Sequence, residues 1–360
     1  MSLFGRIGRK LKTDVRNLAL QPVTAVRDAV YTANGVRRGE ISLVEPLKTL
    51  GATLGALAVV LALLFPIYWI LTAALSSTGG SIYSSGGFRL FPENPTLQPF
   101  LWVIGDLIVP GYAVSVNLPL TDLAIVVDTP KLVMLDVSQY GVTNPSNFKG
   151  FLWNSLTVAV PTVVIAMCLV VPAAYALSRR KFIFRRKVLF VYVLMTQIGG
   201  GLGVALLIGL YAVYVQFGIN DSKLALAVYY AATAIPFNTW LLKTYMDGIP
   251  VSYEEAAVVD GAPPWRVVTE VIIPLSTAGL ATVFIFTFLT GWTEFVVAQT
   301  LLTTENYTLP VGLYSLISEY SIPWARFSAF ALTFATPIML VYLFAQRYIE
   351  GGLSFSGMEG

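Results

Sequence analysis

The ionisable residues of this chain are few, and one stretch gathers a set of them. Lys243 to Pro274 reads KTYMDGIPVSYEEAAVVDGAPPWRVVTEVIIP and includes Glu254, Glu255, Asp260, Arg266 and Glu270. What such a set can do is limited by what is missing around it. With no histidine anywhere, Ser-His-Asp, Cys-His and His-metal arrangements are all excluded. The single cysteine, Cys168, excludes a disulfide framework, a Cys-based zinc cluster and iron–sulfur ligation within one chain. No Gly-x-x-x-x-Gly-Lys-Ser/Thr run occurs, so the chain has no P-loop for ATP. Without a clustered acid/base or metal set, these charges either wait in water or dock into something.

The elements that must position them are membrane helices. Hydrophobic residues make up 56% of the chain and charged residues only 12%. An ordinary globular chain carries about 25% charged residues, so ionic groups cannot cover a water-facing surface here. A spanning helix needs about 20 largely apolar residues. Six stretches qualify: Thr49–Leu75, Phe151–Leu177, Val188–Phe217, Leu224–Leu242, Ser276–Ala298 and Phe327–Gln346. The expected fold is an all-α polytopic membrane protein with six transmembrane helices.

Basic residues set the orientation. With a cytoplasmic N-terminus, all but Arg89, Lys131, Lys149, Lys223 and Arg326 of the 23 Lys and Arg residues lie inside. Counting Leu101–Leu118 as a span would push Arg179–Lys187 outside, and it also holds Asp106, Pro110 and Asn117, so it is rejected. The chain then divides into a basic cytoplasmic segment (1–48), a first transmembrane helix (49–75), an extracytoplasmic insert (76–150), a transmembrane core (151–346) with a cytoplasmic loop (243–274), and a cytoplasmic tail (347–360). Within the insert, Leu123–Asp128 and Lys131–Val137 are β-type runs around Thr129-Pro130 and read as a hairpin. That makes the insert a small β-rich cap, with a binding role or only a packed spacer. Leu3, Ile7, Leu11, Val15 and Leu18 recur at helical spacing between basic residues, as in an amphipathic helix on an anionic leaflet or against a partner subunit.

The 243–274 loop has the grammar of helix, turn, helix. Ser252 can cap a first helix, with Glu255 completing a capping box. Asp260-Gly261 breaks it, and Pro263-Pro264 suits the first turn of a second helix. Glu255-Ala256-Ala257, Gly261 and Val271-Ile272-Ile273-Pro274 then stand at the spacing E-A-A-x3-G-x9-I-x-L-P. This resembles the EAA signature of ABC-importer permeases, with Val271 for Ile and Ile273 for Leu. The resemblance implies that the loop forms coupling helices seated in a cleft of an ATP-hydrolysing subunit, with Glu254, Glu255, Ala256, Ala257, Asp260, Gly261 and Pro274 as coupling residues. Small Ala256, Ala257 and Gly261 permit close helix approach, and Glu255 offers a carboxylate to a basic partner.

The likeness continues on both sides. Ala174-Tyr175-Ala176-Leu177-Ser178-Arg179 is similar to the A-Y-A-x-S/A-R end of the family's second span. Gly291-Trp292-Thr293-Glu294-Phe295 is similar to its W-N-E-F, with Thr293 replacing Asn. Tyr307-Thr308-Leu309-Pro310-Val311-Gly312-Leu313 resembles the external loop before the last span. The tail from Gln346-Arg347-Tyr348 through Gly351-Gly352-Leu353 resembles the smaller permease subunit of maltose/maltodextrin importers. Gly199-Gly200-Gly201 stands where relatives usually carry Pro.

Together these imply half of a translocation pathway for a di- or oligosaccharide of maltose/maltodextrin or trehalose type, or for another solute such as a monosaccharide, polyol or glycerol phosphate. The implied partners are a second, MalF-like permease, a dimer of ABC ATPases that carries ATP and Mg, an extracellular solute-binding protein and the lipid bilayer. The chain itself is expected to bind no cofactor, metal or nucleic acid and to have no catalytic residue. A self-sufficient carrier usually repeats its fold within one chain; six spans with one EAA loop make half a pore.

Three further groups carry expectations. Asn238, Trp240, Trp292 and Glu294 are candidates for lining the pathway, or alternatively for interhelical hydrogen bonds and interface positions. Gln197, Asn154 and Tyr229 are similar polar or aromatic spots. Tyr307, Leu309, Pro310, Gly312 and Tyr314, in the external loop Thr300–Trp324, are the candidate contacts to the binding protein.

Overall fold

The computed structural model describes residues 38, 44–76, 91–92, 94–109, 113–117, 124–128, 132–201, 203–317 and 322–356. The amphipathic segment expected between Leu3 and Leu18, and the surroundings of Gln197, lie outside the described residues and side chains. The chain forms two units, Met1–Trp69 and Ile70–Gly360. Helix α1 (Val44–Ala74) begins in the first and ends in the second. Its most apolar stretch has no buried residue, as suits a helix whose surroundings are lipid.

Among the described residues, four helices are long and apolar enough to cross a membrane: α1, α3 (Phe148–Arg179), α6 (Lys223–Asp247) and α12 (Trp324–Ser356). A bent pair, α8 (Pro264–Leu275) and α9 (Thr277–Thr293), meets at 80° and makes a fifth only where the two count as one span. Within the expected third span, Val188–Phe217, the described residues form α4 (Arg185–Gly201) and α5 (Gly203–Gln216), with Leu202 outside the description. Gly203 opens α5 with a positive φ of +27°. The expected fifth span is divided. α9 stops at Thr293 and a short α10 (Val296–Leu301) follows. The fourth span runs on to Asp247, so Lys243 belongs to a helix rather than to the loop.

In the second unit α3 and α6 form the main pair, and α9 packs against α3, α6 and α12. The buried face of α3 is lined by Ser155, Val158, Ala159, Thr162, Ala166, Val170 and Ala174. Small side chains dominate it because helices in lipid gain little from apolar burial and associate through close packing instead. Trp292, Phe330, Tyr230 and Met246 fill the spaces between.

Among its described residues the insert is built on α2 (Gln98–Ile104) and four strands: β1 (Leu107–Val109), β2 (Ala113–Asn117), β3 (Ala124–Asp128) and β4 (Leu132–Leu135). The two β-type runs do form strands, but they do not pair with each other. β3 pairs with β2 and β4 with β1, both antiparallel. The hairpin expected around Thr129-Pro130 is therefore replaced by two separate ribbons. The rejected span Leu101–Leu118 ends a short helix and then becomes β1 and β2. Asp106 anchors this arrangement by accepting a hydrogen bond from the Val137 backbone N–H at 2.9 Å.

Candidate functional site: the coupling loop and its base

After α6 the chain turns at Gly248 and enters α7 (Ser252–Val259). The expected capping box is not formed. Val251 is already helical (φ −63°, ψ −25°), so Ser252 lies inside the helix rather than at its cap, and no side chain caps it. Glu255 is left exposed on the outer side of α7. Asp260 closes the helix and Gly261 turns the chain with φ +81°. The turn is fixed by Gly261 N–H to Val258 C=O (3.0 Å) and Ala262 N–H to Ala257 C=O (2.9 Å). Pro264 then opens α8, whose middle, Val267–Ile272, is π-helical, and Pro274 lies exposed near its end.

This hairpin presents a concavity of about 280 Å³ between its arms, lined by Ala257, Asp260, Gly261, Ala262, Arg266, Glu270 and Val271. Arg266 and Glu270 pair along α8 at 3.1 Å. Ala256 is exposed and Ala257 half-buried. Val258, Val259 and Trp265 on the same hairpin are also exposed. Nothing in the sequence marks these three, since the loop's pattern is carried by its carboxylates and small residues.

Glu254, expected as a coupling residue beside Glu255, is buried and turns its carboxylate inward. Arg179 at the end of α3 pairs with its Oε1, and the two side chains are only 10% and 12% exposed. Tyr175 Oη donates to Glu254 Oε2 at 3.2 Å. Arg179 also donates to the Ile249 C=O at 2.8 Å, and Ser178 Oγ donates to Asp247 Oδ1 at 2.7 Å. The partners are the polar members of the A-Y-A-x-S-R run.

The four pathway candidates separate in the structure. Trp240 is 45% exposed and lies near Phe237, which meets Phe286 edge-on. Trp292 is buried, with its ring stacked near Phe288 on α9 and Phe334 on α12, so it cannot stack on a sugar in this arrangement. Asn238 is also buried, donating to the Ala234 C=O within its own helix at 2.9 Å. Glu294 sits at the break between α9 and α10, where Tyr230 and backbone N–H groups bond to it. Tyr229 is half-buried beside Tyr230. Asn154 joins elements: it donates to the Glu305 and Tyr307 carbonyls and accepts from Lys223.

The segment after α10 is less open than its polarity suggests. It forms α11 (Leu309–Tyr314), whose first N–H donates to Ser155 Oγ on α3 at 2.7 Å. Leu309 and Gly312 are buried, Tyr307 and Pro310 half-buried, and only Tyr314 of the five candidates is exposed. Leu309 and Gly312 are therefore anchors and not surface contacts. Gly312 lies so close to Phe151 that an added Cβ would meet the ring at 2.4 Å.

Helices apolar enough to cross a membrane, packed through a small-residue face and joined by a charged helical hairpin, are the features of a polytopic membrane protein. A family model described as "Binding-protein-dependent transport system inner membrane component" matches residues 151–354, and the chain belongs to that family, the inner-membrane permeases of ABC importers. It is 30% identical to the maltose/maltodextrin transport system permease protein MalG of Vibrio parahaemolyticus, over 83% of this chain and 91% of the relative. It is 33% identical to the inner membrane ABC transporter permease protein YcjP of Escherichia coli, over 59% of this chain and 75% of the relative. A crystal structure of a bacterial ABC transporter involved in the import of the acidic polysaccharide alginate has the same fold, with a TM-score of 0.63 at 21% identity. That match covers 86% of this chain and 98% of the other.

Proposed function

We propose that this chain is one of two permease subunits in an ATP-driven importer of a di- or oligosaccharide, of the maltose/maltodextrin class. The observation that carries the coupling role is the α7–Gly261–α8 hairpin, which leaves Glu255, Asp260 and Trp265 exposed and encloses a concavity lined by Asp260, Arg266 and Glu270. A carboxylate flanked by apolar side chains suits a basic, partly apolar cleft on an ATPase dimer, which would carry the ATP and Mg. The sugar class rests on similarity to MalG proteins, one of them over nearly the whole chain. The remaining partners are a MalF-like second permease and an extracellular binding protein that docks near α11 and the insert. On the basic-residue asymmetry, the hairpin and both termini are cytoplasmic and the 76–150 insert is external.

The exposed Phe237, Trp240 and Phe286, with Thr293 exposed beside them, form the face that would meet the second permease and the solute. Aromatic faces suit a sugar ring because they combine apolar area with little rotamer freedom. The test is uptake of a panel of radiolabelled sugars by proteoliposomes containing the full complex. Disaccharide uptake that depends on both ATP and binding protein is the expected result. Uptake of glycerol phosphate or monosaccharides alone would move the substrate class.

A further inference from the structure

We propose that Tyr175, Ser178 and Arg179 form a transmission clamp that carries movement of the coupling hairpin into α3. This rests on the reading of that hairpin as the ATPase contact and assigns a distinct role to Glu254 within it. Ser178 and Arg179 stand three and four residues after Tyr175, which makes both its neighbours on the surface of the end of α3. Each is committed to the segment that leads into α7. Ser178 holds Asp247, the last residue of α6. Arg179 holds the Ile249 carbonyl just beyond it and, with Tyr175, the carboxylate of Glu254 in the first turn of α7.

Glu254 and Glu255 therefore divide the labour of an acidic pair. Successive residues on a helix point about 100° apart, so when Glu255 faces outward its neighbour can face the span. A push on α7 then acts on α3 through charge-assisted hydrogen bonds, which are shorter and stronger than neutral ones. Arg185 closes off the other side of the same turn, donating to the Leu177 and Ser178 carbonyls at 2.7 and 3.2 Å. With its last turn held from both sides, α3 has little freedom to fray when pulled. α3 in turn packs on α6 and α9, so its displacement reaches the helices that carry Trp240 and Phe286.

The test compares Glu254→Gln, Arg179→Gln, Tyr175→Phe and the exchanged pair Arg179→Glu/Glu254→Arg in the complete complex, with Glu255→Lys as the docking control. Three readouts are taken on the same proteoliposomes: ATPase co-purification, ATP hydrolysis, and uptake of radiolabelled maltose per ATP. Glu254→Gln and Arg179→Gln should keep the ATPase bound and hydrolysis within about twofold, while uptake per ATP falls at least tenfold. Tyr175→Phe, which deletes only a hydroxyl, should fall about threefold and guards against a folding defect in the charge variants. The exchanged pair should regain a substantial part of the loss. Unchanged uptake per ATP in both single charge variants overturns the clamp. Release of the ATPase by Glu254→Gln also overturns it, by making Glu254 a direct contact. Full ATPase binding and stimulation in Glu255→Lys would instead overturn the hairpin's docking role, whatever the Glu254 result.

Discussion

Glu294 and Tyr230 are joined by a hydrogen bond from the tyrosine hydroxyl to the carboxylate, linking α6 to the break between α9 and α10. The same carboxylate accepts from the backbone N–H groups of Val297 (3.0 Å) and Ala298 (3.2 Å). A charged group in an apolar segment must find partners inside the protein. Here they are the free N–H groups of a helix start, the usual place for a capping oxygen. The helix stops at Thr293 because Glu294 is extended (φ −67°, ψ 132°) and serves the next helix rather than continuing its own.

Replacing Glu294 with Leu should therefore cost stability through two losses. Removal of the cap costs about 1 kcal/mol, and the Tyr230 hydroxyl, left buried and unpaired, about 1–3 kcal/mol more. Glu294→Gln keeps an acceptor and should be clearly milder. Apparent melting temperature in detergent measures the difference. Equal melting of the Leu and Gln variants would show that the carboxylate holds nothing.

The turn at Gly261 is constrained by its backbone and not by space. Its φ of +81° lies in the left-handed region, while a Cβ built there meets nothing within 4 Å. An L-residue in that conformation costs about 1–2 kcal/mol. Gly261→Ala and Gly261→Leu should then weaken ATPase co-purification to a similar degree, with Gly261→Asn mildest because Asn tolerates this conformation. A harmless Ala beside a damaging Leu would point to crowding in the docked cleft instead.

Long apolar runs announced α1, α3, α6 and α12 because a backbone in lipid has to satisfy its own hydrogen bonds as helix. The interrupted elements were harder to read. A window of hydropathy does not register that Glu294 bonds the first N–H groups of a new helix. The hairpin at Gly261 was legible, since Gly after Asp and Pro-Pro are local punctuation. The inward turn of Glu254 was not, because its partners lie about 75 residues upstream and two adjacent glutamates look alike in sequence. Trp292 misled for a related reason: aromatic character says nothing of which ring already occupies its faces.

Asp221, between α5 and α6, ties down the start of the segment after α10. Its carboxylate accepts from the Thr303 N–H at 2.7 Å and from the Thr303 hydroxyl at 2.8 Å. Partial burial alone would raise its pKa, but the Thr303 bonds and the Lys223 charge outweigh this and hold it below the ordinary 3.8. A lowered folded pKa means the bond contributes fully above that ordinary value and is lost as pH falls through the folded one. Hydrogen-exchange protection of the Thr303 amide should stay level from about pH 7 to 5 and decline only in stronger acid. Asp221→Ala should lose that protection at every pH. A decline near neutrality in the native protein would count against the assignment.

Orientation can be read at Ile183, which is 92% exposed between α3 and α4, amid the Arg179–Lys187 basic run. It is a better probe than Arg185, whose guanidinium is engaged by the end of α3. In a Cys168→Ser background, Ile183→Cys should react with an impermeant maleimide in inverted vesicles but not in intact cells. Tyr140→Cys, on the exposed surface of the insert, should show the reverse. Labelling of Ile183→Cys from outside intact cells would invert the topology.

Residues of the segment around α11 should split into surface contacts and anchors. Tyr314, 49% exposed with its ring 4.9 Å from that of Phe295, offers area and a hydroxyl to an approaching binding protein. Tyr314→Ala should lower binding-protein-stimulated ATPase activity severalfold and leave basal hydrolysis by the assembled complex unchanged. Gly312→Ala should act differently. Its Cβ must displace the Phe151 ring from a packed interface, and overpacking of this kind costs about 1–3 kcal/mol. The expected result is a lower melting temperature, partly restored by adding Phe151→Leu. Full stimulation in Tyr314→Ala, together with a destabilised Gly312→Ala, would leave α11 as a structural plug. The 76–150 insert would then be the surface on which to map the binding protein.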